Sequence, residues 1–249
     1  MIYRQEQAHE HLKDFVRCYW QLENTTTETL HYTILPDGFF DLLICYRGTH
    51  LEGVFLTGLW TKRATVAIRP GTKIFGVQFR LLAIENIIQK SIAPIINNIK
   101  ELEKTYWGLD TVSNNVDSEL FEYINKYLLS IIEHQKEEDS RKYTLLNLIN
   151  QSKGNRTVDY YSKQVFWSRR QINRYFQSNF GLSLKSYCTI LKCASSFSPI
   201  KKGELYPTQN YFDRPHFTKE VKKITGYRPK DLAKNENDRF LQFSIIKND

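Results

Sequence analysis

Apolar and polar residues alternate along much of the stretch between residues 18 and 80. A period of two is typical of β-strands that bury one face. Proline and glycine turns at 36–38, 47–48 and 70–71 interrupt the alternation. The pattern predicts six strands, at residues 18–23, 30–35, 41–46, 53–59, 64–69 and 73–80. Short strands so close together favour a small antiparallel barrel or sandwich, followed by a helical segment at 81–89.

The apolar spacing becomes helical in the second half of the chain. Residues 117–133 place Leu120, Ile124, Leu128 and Ile131 on one helix face. This stripe has two interpretations: it packs on its own β-rich domain, or it forms a homodimer through 117–133. Residues 134–140 (HQKEEDS) lack apolar anchors and are interpreted as a linker. The predicted fold class is α+β, with a β-rich domain at 1–135 and an all-α domain at 141–233.

A pair of short helices is predicted at 157–165 and 168–180, with a tight turn at Phe166 and Trp167. Ser168 is a favourable N-cap, and Gln171 completes a capping box. One face of the second helix is apolar and contains Ile172, Phe176 and Phe180. The opposite face carries Arg, Asn and Gln, which read base edges in the major groove. The pattern predicts a helix-turn-helix.

A similar arrangement recurs near the C-terminus. Asp213 is placed to cap a helix at 214–224, Pro215 fits its first turn, and Gly226 ends it. The inner face of this helix is apolar, with Phe217, Val221 and Ile224. A connecting helix is predicted at 184–197, and the apolar residues at 240–246 are expected to dock on the rest of the protein.

The net charge of +8 is unevenly distributed. Residues 1–135 contain 13 basic and 16 acidic residues, whereas residues 136–249 contain 22 basic and 11 acidic residues, a net charge of +11. The positive charge therefore coincides with the predicted reading helices. This favours a polyanionic partner such as double-stranded DNA; the alternative is a generic basic solubility surface.

Several stretches resemble the AraC/XylS family of bacterial transcription regulators. They are SRRQINRYF at 168–176, FGLSLKSY at 180–187, YFDRPHF at 211–217 and FTKEVKKITGYRP at 217–229. A shorter stretch, PDGFFDLL at 36–43, is similar to the sensor domains attached to some of these regulators. The resemblance implies a sequence-specific DNA-binding regulator with two helix-turn-helix units. It also allows a small-molecule effector in the N-terminal domain.

The resemblance assigns residues to the DNA contact. The matches to base-facing positions of the first reading helix are Arg170, Asn173 and Arg174, while Arg169 matches a flanking position suited to phosphate. The predicted DNA-binding set is Ser168, Arg169, Arg170, Asn173, Arg174 and Gln177 in the first unit, and Arg214, Pro215, Thr218 and Lys219 in the second.

The chain departs from the family pattern in three places. Phe166 stands where the family usually has Gly, and a left-handed turn suits Phe poorly. Tyr206 and Asn210 replace a small residue and a Gly in the second unit. The segment 198–210 is shorter than the family norm and contains Pro207, which would cost a helix about 3 kcal/mol. The first helix of the second unit is therefore expected to be a single turn or absent.

Other functional classes find little support. The sequence has no phosphate-binding Gly loop, no G-x-S-x-G and no cysteine pair with metal-ligand spacing. Asp37 lies in a Pro-Asp-Gly turn and is expected to bond its own backbone. We expect no catalytic residue, metal or cofactor, and a cytoplasmic protein with no membrane span or signal peptide. The alternatives are a protein-interaction module with a degenerate second helix-turn-helix and weak or nonspecific DNA binding, and an enzyme built on the N-terminal barrel.

Overall fold

The computed structural model describes residues 1–112, 117–134, 139–206, 211, 213–236 and 239–242. Its strands are β1 (Ile2–Glu6), β2 (Val16–Glu23), β3 (Leu30–Ile34), β4 (Phe40–Arg47), β5 (His50–Thr57), β6 (Ala64–Ile68), β7 (Thr72–Phe79) and β8 (Ile99–Leu102). Six of them form one antiparallel sheet in the order β1-β2-β7-β4-β5-β8, and β3 pairs with β6.

The β3–β6 pair packs on one face of the large sheet, which confirms the antiparallel sandwich. Leu22, Tyr32 and Ile68 form a buried cluster between the two layers. All six predicted strands are present, with ends shifted by a few residues. The prediction missed β1 and β8. In β1 only Tyr3 is even half-buried, so this edge strand has no alternating apolar signal.

The helices are α1 (Asp117–Glu133), α2 (Ser140–Gln151), α3 (Val158–Val165), α4 (Arg169–Phe180), α5 (Leu184–Ala194), α6 (Phe197–Lys201), α7 (Arg214–Thr225) and α8 (Pro229–Lys234). A π-helical turn at Ile84–Ile88 occupies the predicted helical segment after the strands. The predicted connecting helix at 184–197 is wrong in its extent, because α5 ends at Ala194 and α6 starts at Phe197. The fold is α+β, with β-sheets in the N-terminal half and helices in the C-terminal half.

Helix α1 covers the other face of the large sheet. Leu120, Ile124 and Leu128 are buried within the chain, and the ring of Phe121 packs edge-on against Tyr19 at a centroid distance of 4.5 Å. The first interpretation therefore holds for Leu120, Ile124 and Leu128, which are not available to a second copy, whereas Ile131 is half-buried. A homodimer through 117–133 would have to use the outer face, where Lys126 and its neighbours are polar, and it remains a prediction.

The two halves of the chain pack together closely. One cluster of buried apolar residues includes members of both halves. The backbone N–H of Ile92 donates to the carbonyl of Asn179 at 3.0 Å, and the Ser91 hydroxyl donates to the carbonyl of Ser178 at 2.6 Å. These bonds join the C-terminal end of α4 to the N-terminal half. The domain limits 1–135 and 141–233 remain a prediction, and residues 135–138 of the linker lie outside the described residues.

The end of the described chain returns to the N-terminal half. Thr33 donates its backbone N–H to the carbonyl of Arg239 at 2.6 Å and forms a parallel β-bridge with Phe240. The amide of Gln242 accepts from the N–H of Leu35 at 2.9 Å and donates to its carbonyl at 2.8 Å. Phe240 is fully buried. The expected docking of the tail is confirmed for residues 240–242, and residues 243–249 lie outside the described residues.

Candidate nucleic-acid interface

The first candidate unit consists of α3 and α4. Thr157 caps α3, because its hydroxyl accepts the backbone N–H of Tyr160 at 3.2 Å. Helix α3 ends at Val165, and the next residue, Phe166, has φ of 54° and ψ of 33°, which lie in the left-handed region. Helix α4 begins at Arg169, with Ser168 as its N-cap. The two helices and their tight turn have the predicted order and lengths.

The start of α4 is fixed by the predicted capping box. The backbone N–H of Gln171 donates to the Ser168 hydroxyl at 3.2 Å, and the N–H of Ser168 donates to the Gln171 side-chain oxygen at 2.8 Å. The inner face of α4 is buried and consists of Ile172, Tyr175, Phe176 and Phe180. The rings of Phe176 and Phe180 meet at a centroid distance of 5.1 Å. This packing holds the helix with its opposite face toward solvent.

The solvent face of α4 carries Arg170, Arg174 and Gln177, all exposed. Their spacing of four and then three residues places them on one stripe of the helix. Among the described residues, neither arginine is in an ion pair. Two guanidinium groups and one amide are thus available to base edges and phosphates.

Two other predicted residues of the first unit already have partners. The Ser168 hydroxyl donates to the Gln171 side-chain oxygen at 2.8 Å. The Arg169 guanidinium forms an ion pair with Asp159 of α3, although its side chain is 69% exposed. An exposed ion pair of this kind is weak, so the Arg169 guanidinium could exchange Asp159 for a phosphate beside the exposed stripe.

Asn173 is placed differently from the prediction. Its side chain is half-buried, and its Oδ1 is buried with no hydrogen-bond partner among the described residues. Reading a base would require this side chain to turn outward. The sequence contained a signal for this placement: Asn173 precedes Phe180 by seven residues, so both lie nearly on the same line along the helix. The prediction that Asn173 faces the bases alongside Arg174 is therefore not supported by its position.

Sequence reasoning missed several residues that lie on the same side of α4 as Arg174. Gln171 and Ser178 are exposed on the flank of α4 beyond Arg174. Arg141 in the first turn of α2 and Trp167 in the turn before α4 complete a cleft of about 330 Å³, lined by Arg141, Trp167, Gln171, Arg174, Tyr175 and Ser178. No local pattern links residues 141 and 167, and it is the fold that brings the Arg141 guanidinium to 5.3 Å from the Trp167 ring centroid.

The second candidate unit centres on α7. The Asp213 carboxylate accepts the backbone N–H of His216 at 2.8 Å, and Gly226 ends the helix with φ of 81°. Both features were predicted. The buried face consists of Phe217, Val221, Ile224 and Thr225. The predicted contact residues Arg214, Pro215 and Lys219 are exposed, whereas Thr218 is half-buried.

The first helix of the second unit was expected to be a single turn or absent, and the residues that the structure describes ahead of α7 agree with this expectation. Helix α6 has only five residues, and residues 202–206 are not helical. Pro207 and Asn210 lie outside the described residues. The Arg214 guanidinium lies 3.4 Å from the ring centroid of the exposed Tyr206. Arg214 is therefore exposed to solvent but also makes a cation–π contact.

Two half-buried carboxylates lie away from this surface, in the N-terminal sandwich. Asp37 accepts the N–H of Phe39 at 3.1 Å, which confirms the expected bond to its own turn. Asp41 accepts from the indole N–H of Trp20 at 2.9 Å. Burial, assisted by the nearby charge of Asp37, raises the pKa of Asp41 to about 7. Within the described residues, no three His, Cys, Asp or Glu side chains are grouped as metal ligands would be.

The cysteines and helices add two further facts. All four cysteines are free thiols, and burial raises the pKa of Cys188 to about 12, so this thiol is neutral. Over the described part of the chain, every helix is too short or too polar to pass through a bilayer.

Comparison with known proteins gave one family match and several structural similarities. Residues 4–100, less than half of the chain, match the family described as Domain of unknown function (DUF6597). No curated protein matches the chain. ToxT from Vibrio cholerae is similar at a TM-score of 0.46 and 9% identity, over 94% of this chain and 98% of that chain. ToxT from Vibrio cholerae O395 gives 0.45 at 9% identity, over 98% and 99%. Wild-type ToxT of strain SCE256 bound to an unsaturated fatty acid gives 0.44 at 10% identity, over 86% and 97%.

Proposed function

We propose that this protein is a sequence-specific, double-stranded DNA-binding transcription regulator of the AraC type. Helix α4 enters the major groove as the principal reading helix, and α7 is presented to a neighbouring stretch of the duplex. Effector control through the N-terminal half, which rests on the sequence resemblance, and a homodimer through 117–133, which rests on the apolar spacing of that helix, belong to this proposal.

The exposed stripe of Arg170, Arg174 and Gln177 is the observation that carries the proposal. It lies on a capped helix that is braced from behind by buried aromatic rings. The half of the chain that contains it has a net charge of +11. Fixed donors on a rigid element and a surrounding positive field are what base reading and phosphate attraction require.

The alternative is a protein-interaction module with weak or nonspecific DNA binding. The non-helical residues 202–206 favour it, because they leave α7 without the helix that usually positions a second reading helix. In that case α4 would bind DNA without discriminating sequences. The two functions therefore differ in the ratio of specific to nonspecific affinity.

Recovery of genomic fragments bound by the full chain tests the proposal. We expect an enriched sequence motif, with two half-sites about one helical turn apart if both units read DNA. A single half-site would restrict reading to α4. Equal affinity for random and recovered duplexes across a salt titration would support the alternative.

Substitution of single basic residues then assigns roles. Arg174→Ala should reduce discrimination at one base position by about 1–3 kcal/mol. Lys219→Ala should weaken binding to all sequences alike. Lys126→Ala is the matched control, because Lys126 is an exposed lysine on α1, away from both candidate units. An Arg174→Ala variant with unchanged sequence preference would remove this residue from base reading.

A further inference from the structure

The cleft beside α4 has a defined chemical character. Arg141 of α2 and Arg174 of α4 both line it, and the Trp167 indole lies between these two helices. The Gln171 amide and the Ser178 hydroxyl add neutral donors. A space of about 330 Å³ with two guanidinium groups and an aromatic ring suits an anionic group attached to an apolar body.

Arg141 is held in place at this cleft. Its Nε donates to Asp139 Oδ1 at 2.8 Å, and its Nη2 donates to Asp139 Oδ2 at 2.7 Å. The guanidinium also lies 5.3 Å from the Trp167 ring centroid. A guanidinium carries five N–H donors, so the bonds to Asp139 leave others for a ligand. Asp139 thus orients Arg141, whose side chain remains 51% exposed and accessible to a ligand.

The cleft is continuous with the reading face. Arg174, Gln171 and Ser178 belong both to the cleft and to the exposed side of α4. A duplex that receives the α4 stripe in its major groove therefore brings a sugar–phosphate backbone along this flank. A phosphodiester offers two anionic acceptor oxygens to Arg141, and its deoxyribose offers apolar surface to the indole.

We propose that Arg141 and Trp167 form a binding site for one phosphodiester of the DNA backbone, next to Arg174, which reads a base. This contact sets the register of α4 in the groove. Arg141 is a positioning residue in this site and reads no base. This inference rests on the proposed DNA-binding function and adds a contact from α2 that the sequence resemblance did not include.

The test measures the affinity of the full chain for a recovered site and for random DNA over a range of salt concentrations. Arg141→Gln should lower both affinities by the same factor, roughly three- to tenfold at low salt, and make the slope of log K against log salt shallower by about 1. Arg141→Lys keeps the charge and should retain the wild-type slope. Arg47→Gln is the matched control, because Arg47 is likewise exposed and paired with a carboxylate, Glu52, but lies in the N-terminal half.

A duplex with single phosphates replaced by neutral methylphosphonates locates the contact. One replacement should weaken the wild type and have no further effect in Arg141→Gln. If the wild type binds a specific site but Arg141→Gln behaves as Arg47→Gln does, the phosphate site is wrong and the DNA-binding function stands. If the wild type has no affinity for DNA, both proposals fail.

Discussion

The phenol of Tyr187 donates a hydrogen bond to the carbonyl of Gly38 at 3.1 Å, across the boundary between the two halves of the chain. Tyr187 is in α5, which joins the two candidate reading units, and Gly38 is in the turn before β4. Both residues are buried. The bond therefore ties the helical half to the sandwich in a place that water does not reach.

Removing this hydroxyl should destabilise the protein. Tyr187→Phe leaves the Gly38 carbonyl buried without its donor, which should lower the free energy of unfolding by about 1–3 kcal/mol in chemical denaturation. Tyr143→Phe is the matched control, because its hydroxyl also crosses between the halves, to Asp14 at 2.7 Å, but is exposed. It should cost less than about 0.5 kcal/mol. If the two changes lowered the free energy of unfolding equally, the buried bond would contribute no more to stability than the exposed one.

Gly38 is also under a steric constraint. Its φ is +85°, and an added Cβ would lie 2.5 Å from Cδ2 of Leu191, itself a buried residue. Gly38→Ala should therefore cost about 1–2 kcal/mol more than Gly71→Ala, measured by thermal or chemical unfolding. Gly71 has φ of +69° with no described atom within 4 Å of the added Cβ, so Gly71→Ala measures the cost of the left-handed backbone conformation alone. A cost no larger than that of Gly71→Ala would show that Leu191 moves aside freely.

Stability should fall as the pH rises toward neutrality because of Asp41. Burial, then the charge of Asp37, raises its pKa to about 7, against about 3.9 in the unfolded chain. The folded state thus binds the proton more tightly. The stabilisation that comes from protonated Asp41 is complete below pH of about 4 and is lost as the pH rises through about 7. Asp41→Asn keeps the acceptor for Trp20 and should flatten this part of the profile of unfolding free energy against pH. The same slope in wild type and variant would contradict the assignment.

The left-handed turn of the first unit should be strained. Phe166 has φ of 54° and is 88% exposed, so little packing offsets its backbone conformation. Phe166→Gly should be more stable than Phe166→Ala by about 1 kcal/mol, because both lose the ring but only Ala keeps a Cβ. Unfolding in urea gives the difference directly. Equal stability of the two variants would place the strain elsewhere.

Local rules predicted much of this protein because they act between near neighbours in sequence. The alternation in β4 and the capping box of Ser168 and Gln171 depend on residues a few positions apart. Edge strand β1 was missed because its residues are nearly all exposed. The half-buried position of Asn173 follows from its seven-residue spacing to the buried Phe180, whereas the family motif predicted that Asn173 faces the bases.

The remaining features depend on contacts between distant parts of the chain. Arg141 and Trp167 meet only because α2 packs near α4, and no sequence period encodes that approach. The bridge between Thr33 and Phe240 joins the second strand layer to the last described residues. A hydrophobic tail indicates docking but does not specify a strand.

The position of Phe240 alters how this chain can be divided. A cut between residues 135 and 141 would separate the predicted domains in sequence, but the fragment carrying α4 and α7 would retain a segment that bridges to Thr33 on the other fragment. The N-terminal fragment would correspondingly lose this partner of β3. Two such fragments, produced separately, form a natural pair for reconstitution, whereas either one alone is an incomplete folding unit.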